Sequence, residues 1–408
     1  MLPHDVLLEI FDSYRVNDVR PWKWGKLVHV CRRWRQIIFA SPCLLNLQLL
    51  CKQGTPVRKN LGCWPALPLA INYVLQLTPD DEEGLFAALE HPNRVRSIIL
   101  AVKGPLLGKI ATEMQKPFPA LTHLTLSSIT GHLPVLPDGY LAGSAPCLRE
   151  IAFQAIPFPA LPTILSSASD LVNLELYDIP ESGYISPEAL VACLAVLPRL
   201  SKLHVTFRLP TSHRDRIVLP LEPRIILPRI LSMDFRGSNE YLEDFVAQVD
   251  TPQLNQLALQ YLDRLDFRIP QLSKFVNRLD RNLFRLGRAR VYLEVAYGKV
   301  FLSLCHKHSS HGPGLVIFIP GEGIGQQVSR MTQVLGQISV MLSDVIHLYI
   351  KAGNLESEFQ DDIAWLQLLR PFTALETLRV SPVLTKSVAL TLKGVTGAMD
   401  FPRLHLEV

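Results

Sequence analysis

Leu171-Val172-Asn173-Leu174-Glu175-Leu176 places apolar residues at its first, fourth and sixth positions, with variable residues between them. Its last three residues alternate as a short strand does when one face is buried and the other open. The same arrangement recurs as Val95-x-x-Ile98-x-Leu100, Leu121-x-x-Leu124-x-Leu126, Leu148-x-x-Ile151-x-Phe153, Leu200-x-x-Leu203-x-Val205, Ile230-x-x-Met233-x-Phe235 and Leu254-x-x-Leu257-x-Leu259. Two more copies stand near the end, Val345-x-x-Leu348-x-Ile350 and Leu375-x-x-Leu378-x-Val380. Successive early units begin 23 to 30 residues apart. Such recurrence marks units that bury their apolar faces only by stacking on their neighbours.

Between these strands, Gly84-Leu85-Phe86-Ala87-Ala88-Leu89 and Pro187 to Leu194 have helical spacing, and Pro198 ends the second helix before its strand. Pattern and period resemble leucine-rich repeats. The expected fold is therefore α/β: an N-terminal helical module, then a leucine-rich-repeat solenoid over 81–408 with a parallel sheet on its concave face. From Leu259 to Val345 the pattern is less regular. Ala289 to Val295 and Lys299 to Cys305 flank Tyr297-Gly298 and read as a hairpin inserted near 289–305, with Leu315 to Ile319 as a third strand and a helix from Gly325 to Ser343. Residues 386–408 show no clear capping helix.

The first 46 residues follow another rule. Pro3 suits the first turn of a helix and Asp5 its positive end. Val6, Leu7, Ile10 and Phe11 then fall on one face. Leu27, Val30, Cys31, Trp34, Ile37 and Ile38 repeat with helical spacing on an expected second helix, whose other face carries Lys26, Arg32, Arg33 and Arg35. Two such short helices are too small to cover both apolar faces, which points to a docking surface.

Leu2-Pro3, Val6-Leu7, Ile10-Phe11, Leu27, Val30-Cys31-Arg32, Trp34 and Ser41-Pro42-Cys43-Leu44 resemble an F-box, the adaptor-binding motif of SCF ubiquitin ligases. The loop with Pro21, Trp22 and Trp24 is most similar to F-box-like proteins of fungi. In that family residues precede the Leu-Pro pair; here Met1 stands directly before it, so the edge of the docking surface is expected to be incomplete. The resemblance implies that Leu2, Pro3, Val6, Leu7, Ile10, Phe11, Leu27, Val30, Cys31 and Trp34 hold a Skp-family adaptor, which in turn holds a cullin scaffold. Residues 47–80, rich in Gly and Pro, read as the connection into the repeats. Leu44, Leu47 and Leu49 suggest that the module packs against them.

Composition narrows the alternatives. Of 408 residues 48% are apolar and 19% charged, which is core-rich and globular. A net charge of +4, from 41 Lys and Arg against 37 Asp and Glu, is too balanced to argue for a nucleic-acid or lipid surface. No apolar run reaches bilayer length, and Asp5, Glu9 and Asp12 stand where a signal peptide would be apolar. Seven scattered cysteines without a C-x-x-C pair fit reduced thiols. A cytoplasmic or nuclear protein is expected, without a membrane or nucleic-acid partner.

Candidate chemistry is sparse. His306-x-His308-x-x-His311 beside Cys305 has zinc-ligand residue types but lacks a second ligand pair, so a solvated loop is the better reading. Gly321-Glu322-Gly323-Ile324-Gly325 lacks the Gly-Lys-Ser/Thr ending of a phosphate loop. Asp80 to Glu83 and Glu356 to Asp362 stand at expected helix starts, where negative charge is structural. No catalytic, metal or cofactor site is expected. What remains is the concave row. Glu150, Glu175, Tyr177, Lys202, His204, Asp234 and Arg236 are the expected substrate-binding residues, and His347, Tyr349, Lys351, Thr377 and Arg379 continue the row. The resemblance thus implies a non-enzymatic substrate receptor of an SCF-type ligase. The alternative is a scaffold that binds partners through its repeats outside any ligase.

Overall fold

The computed structural model describes residues 2–16, 24–41, 45, 47–129, 135–159, 161–208, 224–262, 268–279, 286–294, 299–306, 313–321, 323–352, 362–385, 387–389 and 405–407. It divides into two compact units, 1–173 and 174–408. Both are mixed α/β, with strands that are mostly parallel.

The first unit opens with α1 (His4–Val16), α2 (Trp24–Val28) and α3 (Arg32–Ala40). Strands and helices then alternate: β1 (Leu49–Lys52), α4 (Val57–Cys63), β2 (Leu69–Val74), α5 (Pro79–Leu89), β3 (Val95–Val102), α6 (Gly104–Glu113), β4 (His123–Ser128), β5 (Glu150–Gln154) and α7 (Leu161–Ser167). Each strand pairs in parallel with the next. The register lines up the repeated apolar positions into buried columns. Cys51, Ile71, Ile98, Leu124 and Ile151 form one, and Tyr73, Leu100, Leu126 and Phe153 the next. Burial holds the Cys51 thiol up at about 11, although Arg94 pulls the other way. Segment 47–80, read from sequence as a connection, already carries two strands of the array.

The start of α5 shows how local chemistry fixes an element. The Thr78 hydroxyl accepts the Asp81 N–H, and the Asp81 carboxylate accepts the Thr78 N–H, a reciprocal cap with Pro79 just inside the helix. Asp81 reaches further and accepts the N–H of Gly54 at 2.8 Å, tying the turn after β1 to the next helix. Gly54 has φ of +69°, where a side chain would be strained.

The second unit begins with β6 (Asn173–Ile179), α8 (Pro187–Ala195), β7 (Lys202–Phe207), β8 (Ile225–Ile226), β9 (Ser232–Gly237), α9 (Asn239–Gln248), β10 (Val249–Asp250), β11 (Gln256–Tyr261) and α10 (Pro270–Arg278). It continues with β12 (Leu286–Glu294), β13 (Lys299–His306), β14 (Pro313–Pro320), α11 (Ile324–Gln337), α12 (Ser339–Leu342), β15 (His347–Ala352), α13 (Asp362–Leu369), β16 (Thr377–Val380) and β17 (His405–Glu407). Its strand order is β6-β7-β9-β11-β14-β13-β12-β15-β16-β17, while β8 and β10 form a separate parallel pair.

The expected hairpin is present as antiparallel β12 and β13, and the sheet runs through it. β12 and β13 pair antiparallel, as do β13 and β14, but β14 also pairs in parallel with β11 and β12 with β15. The three strands are members of the sheet, entered in reverse order. The reason lies in their alternation: Val291, Val300, Leu302, Leu304, Leu315 and Ile317 are all buried, so each strand has an apolar face to cover. Helix α11 packs across all three with Val328, Met331, Val334 and Leu335 buried. One column then runs Val205, Phe235, Leu259, Ile317, Leu302, Val291, Ile350, Val380. The turn at Tyr297-Gly298 lies outside the described residues. Past Val380, where the pattern fades, β17 adds one more parallel strand to β16.

Candidate functional site

Two surfaces were singled out in the sequence, the N-terminal helices and the open face of the strands. On α1, spacing of three and four residues splits the apolar side chains into two ridges. Leu7 and Phe11 are 4% and 1% exposed and belong to a core cluster with Val28, Ile37, Ile38, Leu45, Leu47 and Leu67. Val6 and Ile10 are 38% and 45% exposed, and Leu2 continues their spacing. The expectation that Leu7, Ile10 and Phe11 stand together on an uncovered face is therefore corrected. Leu45, Leu47 and Leu67 supply the missing cover for Leu7 and Phe11, which a hairpin alone could not.

The second helix is also corrected. Instead of one run from Leu27 to Ile38 there are two, α2 and α3, broken at Cys31. Cys31 is extended, with φ of −158°, and its sulfur accepts the N–H of Trp34 at 3.4 Å as the cap of α3. Leu27 is partly buried against the cluster, while Val30 in the intervening turn is exposed. Trp34 packs on Phe11. Arg33 donates to the Leu2 carbonyl at 2.6 Å and so holds the segment before α1 beside α3. Pro3 is exposed, and its carbonyl accepts the Leu7 N–H. Pro21, Trp22 and Pro42 to Leu44 lie outside the described residues.

On the sheet, β6, β7 and β9 bring six expected residues into one network. Glu175 accepts from Lys202 Nζ at 2.6 Å and from the Tyr177 hydroxyl at 2.7 Å. Burial pushes the Glu175 carboxyl up, but these two donors outweigh it and hold it below the ordinary carboxylate range. Burial and the bond to Glu175 raise Tyr177. Its ring lies 4.2 Å from that of His204, whose Nδ1 meets Asp234 Oδ2 at 3.2 Å. Arg236 faces Asp178 at 3.6 Å, a partner not foreseen from sequence. Asp178 sits in the left-handed region with φ of +50°, held by its N–H to the Thr206 hydroxyl at 2.7 Å. In the first unit, Glu150 is exposed on β5 and 3.7 Å from His123.

The carboxylates of this network are all engaged: Glu175 by Lys202 and Tyr177, Asp234 by His204 and Asp178 by Arg236. Among the described residues no group of His, Cys, Asp and Glu could hold a metal ion. His308 and His311 lie outside those residues. Nor, among them, is any helix long and apolar enough to cross a membrane.

The register also shows what sequence reasoning missed. Val291 and Ile350 are buried neighbours, so Arg288 and Arg290 of β12 share the open face with His347, Tyr349 and Lys351 of β15 and with Thr377 and Arg379 of β16. The signal was the alternation Arg288-x-Arg290-x-Tyr292, in an inserted hairpin whose sheet neighbours the sequence does not name. No family model matches this chain, and neither does any curated protein.

Proposed function

We propose that this chain is the substrate-recognition subunit of an SCF-type ubiquitin ligase, an F-box-like module followed by a leucine-rich-repeat solenoid. The exposed ridge of Leu2, Val6 and Ile10 carries the reading, because these large side chains stay in water while Leu7 and Phe11 beneath them are covered. Leaving such a ridge uncovered has a cost that a partner removes. In this reading the ridge, with Val30, contacts a Skp-family adaptor, and Leu7, Phe11, Leu27, Cys31 and Trp34 shape it from below. The adaptor holds the cullin, and the open face of the strands presents a protein substrate. The chain catalyses nothing itself and works in the cytoplasm or nucleus.

A scaffold acting outside any ligase is the second reading, favoured by the same open face, which needs no ligase to bind a protein. Affinity purification from the native cell separates the two. Adaptor and cullin recovered together support the ligase, and adaptor without cullin supports the scaffold.

A further inference from the structure

We propose that the open face of β12, β15 and β16 binds an extended acidic peptide segment of the partner protein. This rests on the receptor reading and gives its substrate a chemistry.

The register assembles the site. Arg288 lies opposite His347, Arg290 opposite Tyr349, and Tyr349 opposite Arg379. The next row runs Phe318, Phe301, Tyr292, Lys351. Arg288, Arg290, Lys351 and Arg379 are exposed, and none has an ion pair with another described residue. By register, Glu294 stands opposite Lys299 and Glu407 opposite Arg379 at the margins of this stretch. The cations remain in excess. On β6, β7 and β9, by contrast, Glu175 meets Lys202, Asp234 meets His204 and Asp178 meets Arg236. An incoming charge would have to break one of those pairs, whereas at β12 and β15 it would find cations facing water.

Spacing suits a peptide. Arg288 and Arg290 are two residues apart on one strand, about 7 Å, and neighbouring strands lie about 4.8 Å apart. An extended segment laid along β12 repeats its side chains at the same interval, so acids at alternate positions reach both arginines. The rings argue against a single-stranded nucleic acid. Arg379 lies over the Tyr349 ring at 5.8 Å, and Phe301 and Phe318 pack on each other at 5.3 Å. Each is already in contact with a neighbour instead of standing open for a base to stack on.

The test uses the full chain and a fluorescein-labelled peptide of alternating glutamate and serine, read by anisotropy. Binding that weakens with salt, and falls about tenfold or more in Arg288→Glu with Arg290→Glu, is expected. Lys109→Glu, a charge reversal on α6, should leave it unchanged. Should the double reversal fail to fold, Arg290→Gln with Lys351→Gln must show the same direction of loss. The proposal is overturned if wild type does not bind the peptide, if both double variants bind as wild type does, or if oligothymidylate of equal charge binds more tightly. Adaptor recovery is measured on the same samples. Lost peptide binding with adaptor retained in the variants isolates the patch, while peptide binding in a wild-type chain that recovers no adaptor would reject the receptor reading alone.

Discussion

Phe11 of α1 and Trp34 of α3 meet edge to face, their ring centroids 4.8 Å apart and their planes inclined by 63°. With Phe11 fully buried, this contact holds the two helices at a fixed angle and leaves Val6 and Ile10 outside. Phe11→Ala should therefore destabilise the N-terminal cluster by about 3–5 kcal/mol. Chemical denaturation followed by tryptophan fluorescence would detect it as an early loss of signal. Ile10→Ala should cost much less, since its side chain is already half in water.

Asp81 ties three backbone and side-chain donors together, from Gly54 and Thr78, and these hold its carboxyl below the ordinary range. Its contribution is present above the unfolded carboxylate value and lost as pH falls through the depressed one. Asp81→Ala removes the cap and the link to the turn after β1, with an expected loss of about 1–3 kcal/mol. Thermal melts of the two proteins should differ near neutral pH and converge in acid.

Asp244 on α9 titrates in the opposite sense. Burial, then the nearby Glu188 and Glu240, push its carboxyl up to about 6. The folded chain thus holds this proton more tightly than the unfolded one, so its stabilisation is complete below the unfolded value and lost as pH rises through about 6. Asp244→Asn should raise stability at neutral pH by about 1–2 kcal/mol, after allowance for the partial exposure of the group, and change little in acid. Tm measured across that interval decides it.

Glu175 and Lys202 form the tightest pair of the β6–β7 network, yet Lys202 keeps much of its surface in water. Lys202→Met should cost about 1 kcal/mol or less. It should also raise the Glu175 carboxyl, because the first donor that offsets its burial is gone. A carboxylate titration followed by NMR would show the rise, and an unchanged midpoint would mean that Tyr177 alone holds the charge.

The repeated strands were legible because their code is local. Two alternating apolar residues and a third three positions earlier name the buried column, and Ile98, Leu124 and Ile151 or Met233 and Leu257 follow it. What stayed hidden depended on non-local partners. That Leu7 and Phe11 would be covered required Leu45, just past the helices, with Leu47 and Leu67 of the segment read as a connection. That β12 would pair with β15, across two intervening strands and two helices, has no signature in its own residues, and with it the Arg288 and Arg290 face went unseen. The break at Cys31 was missed because helical spacing from Leu27 to Ile38 is continuous in sequence even though the backbone is not.

If the ridge of Leu2, Val6 and Ile10 is the adaptor contact, charges placed on it must sharply weaken adaptor binding. Purified full-length chain is titrated with a Skp-family adaptor by calorimetry, in wild type and in Val6→Asp with Ile10→Asp, with circular dichroism of both proteins as the check on folding. Charges placed on an exposed ridge should leave the fold intact and weaken binding by about a hundredfold or more, as loss of a central interface anchor does. Wild-type affinity in the folded double variant, or no adaptor binding by the wild-type chain, would contradict the account.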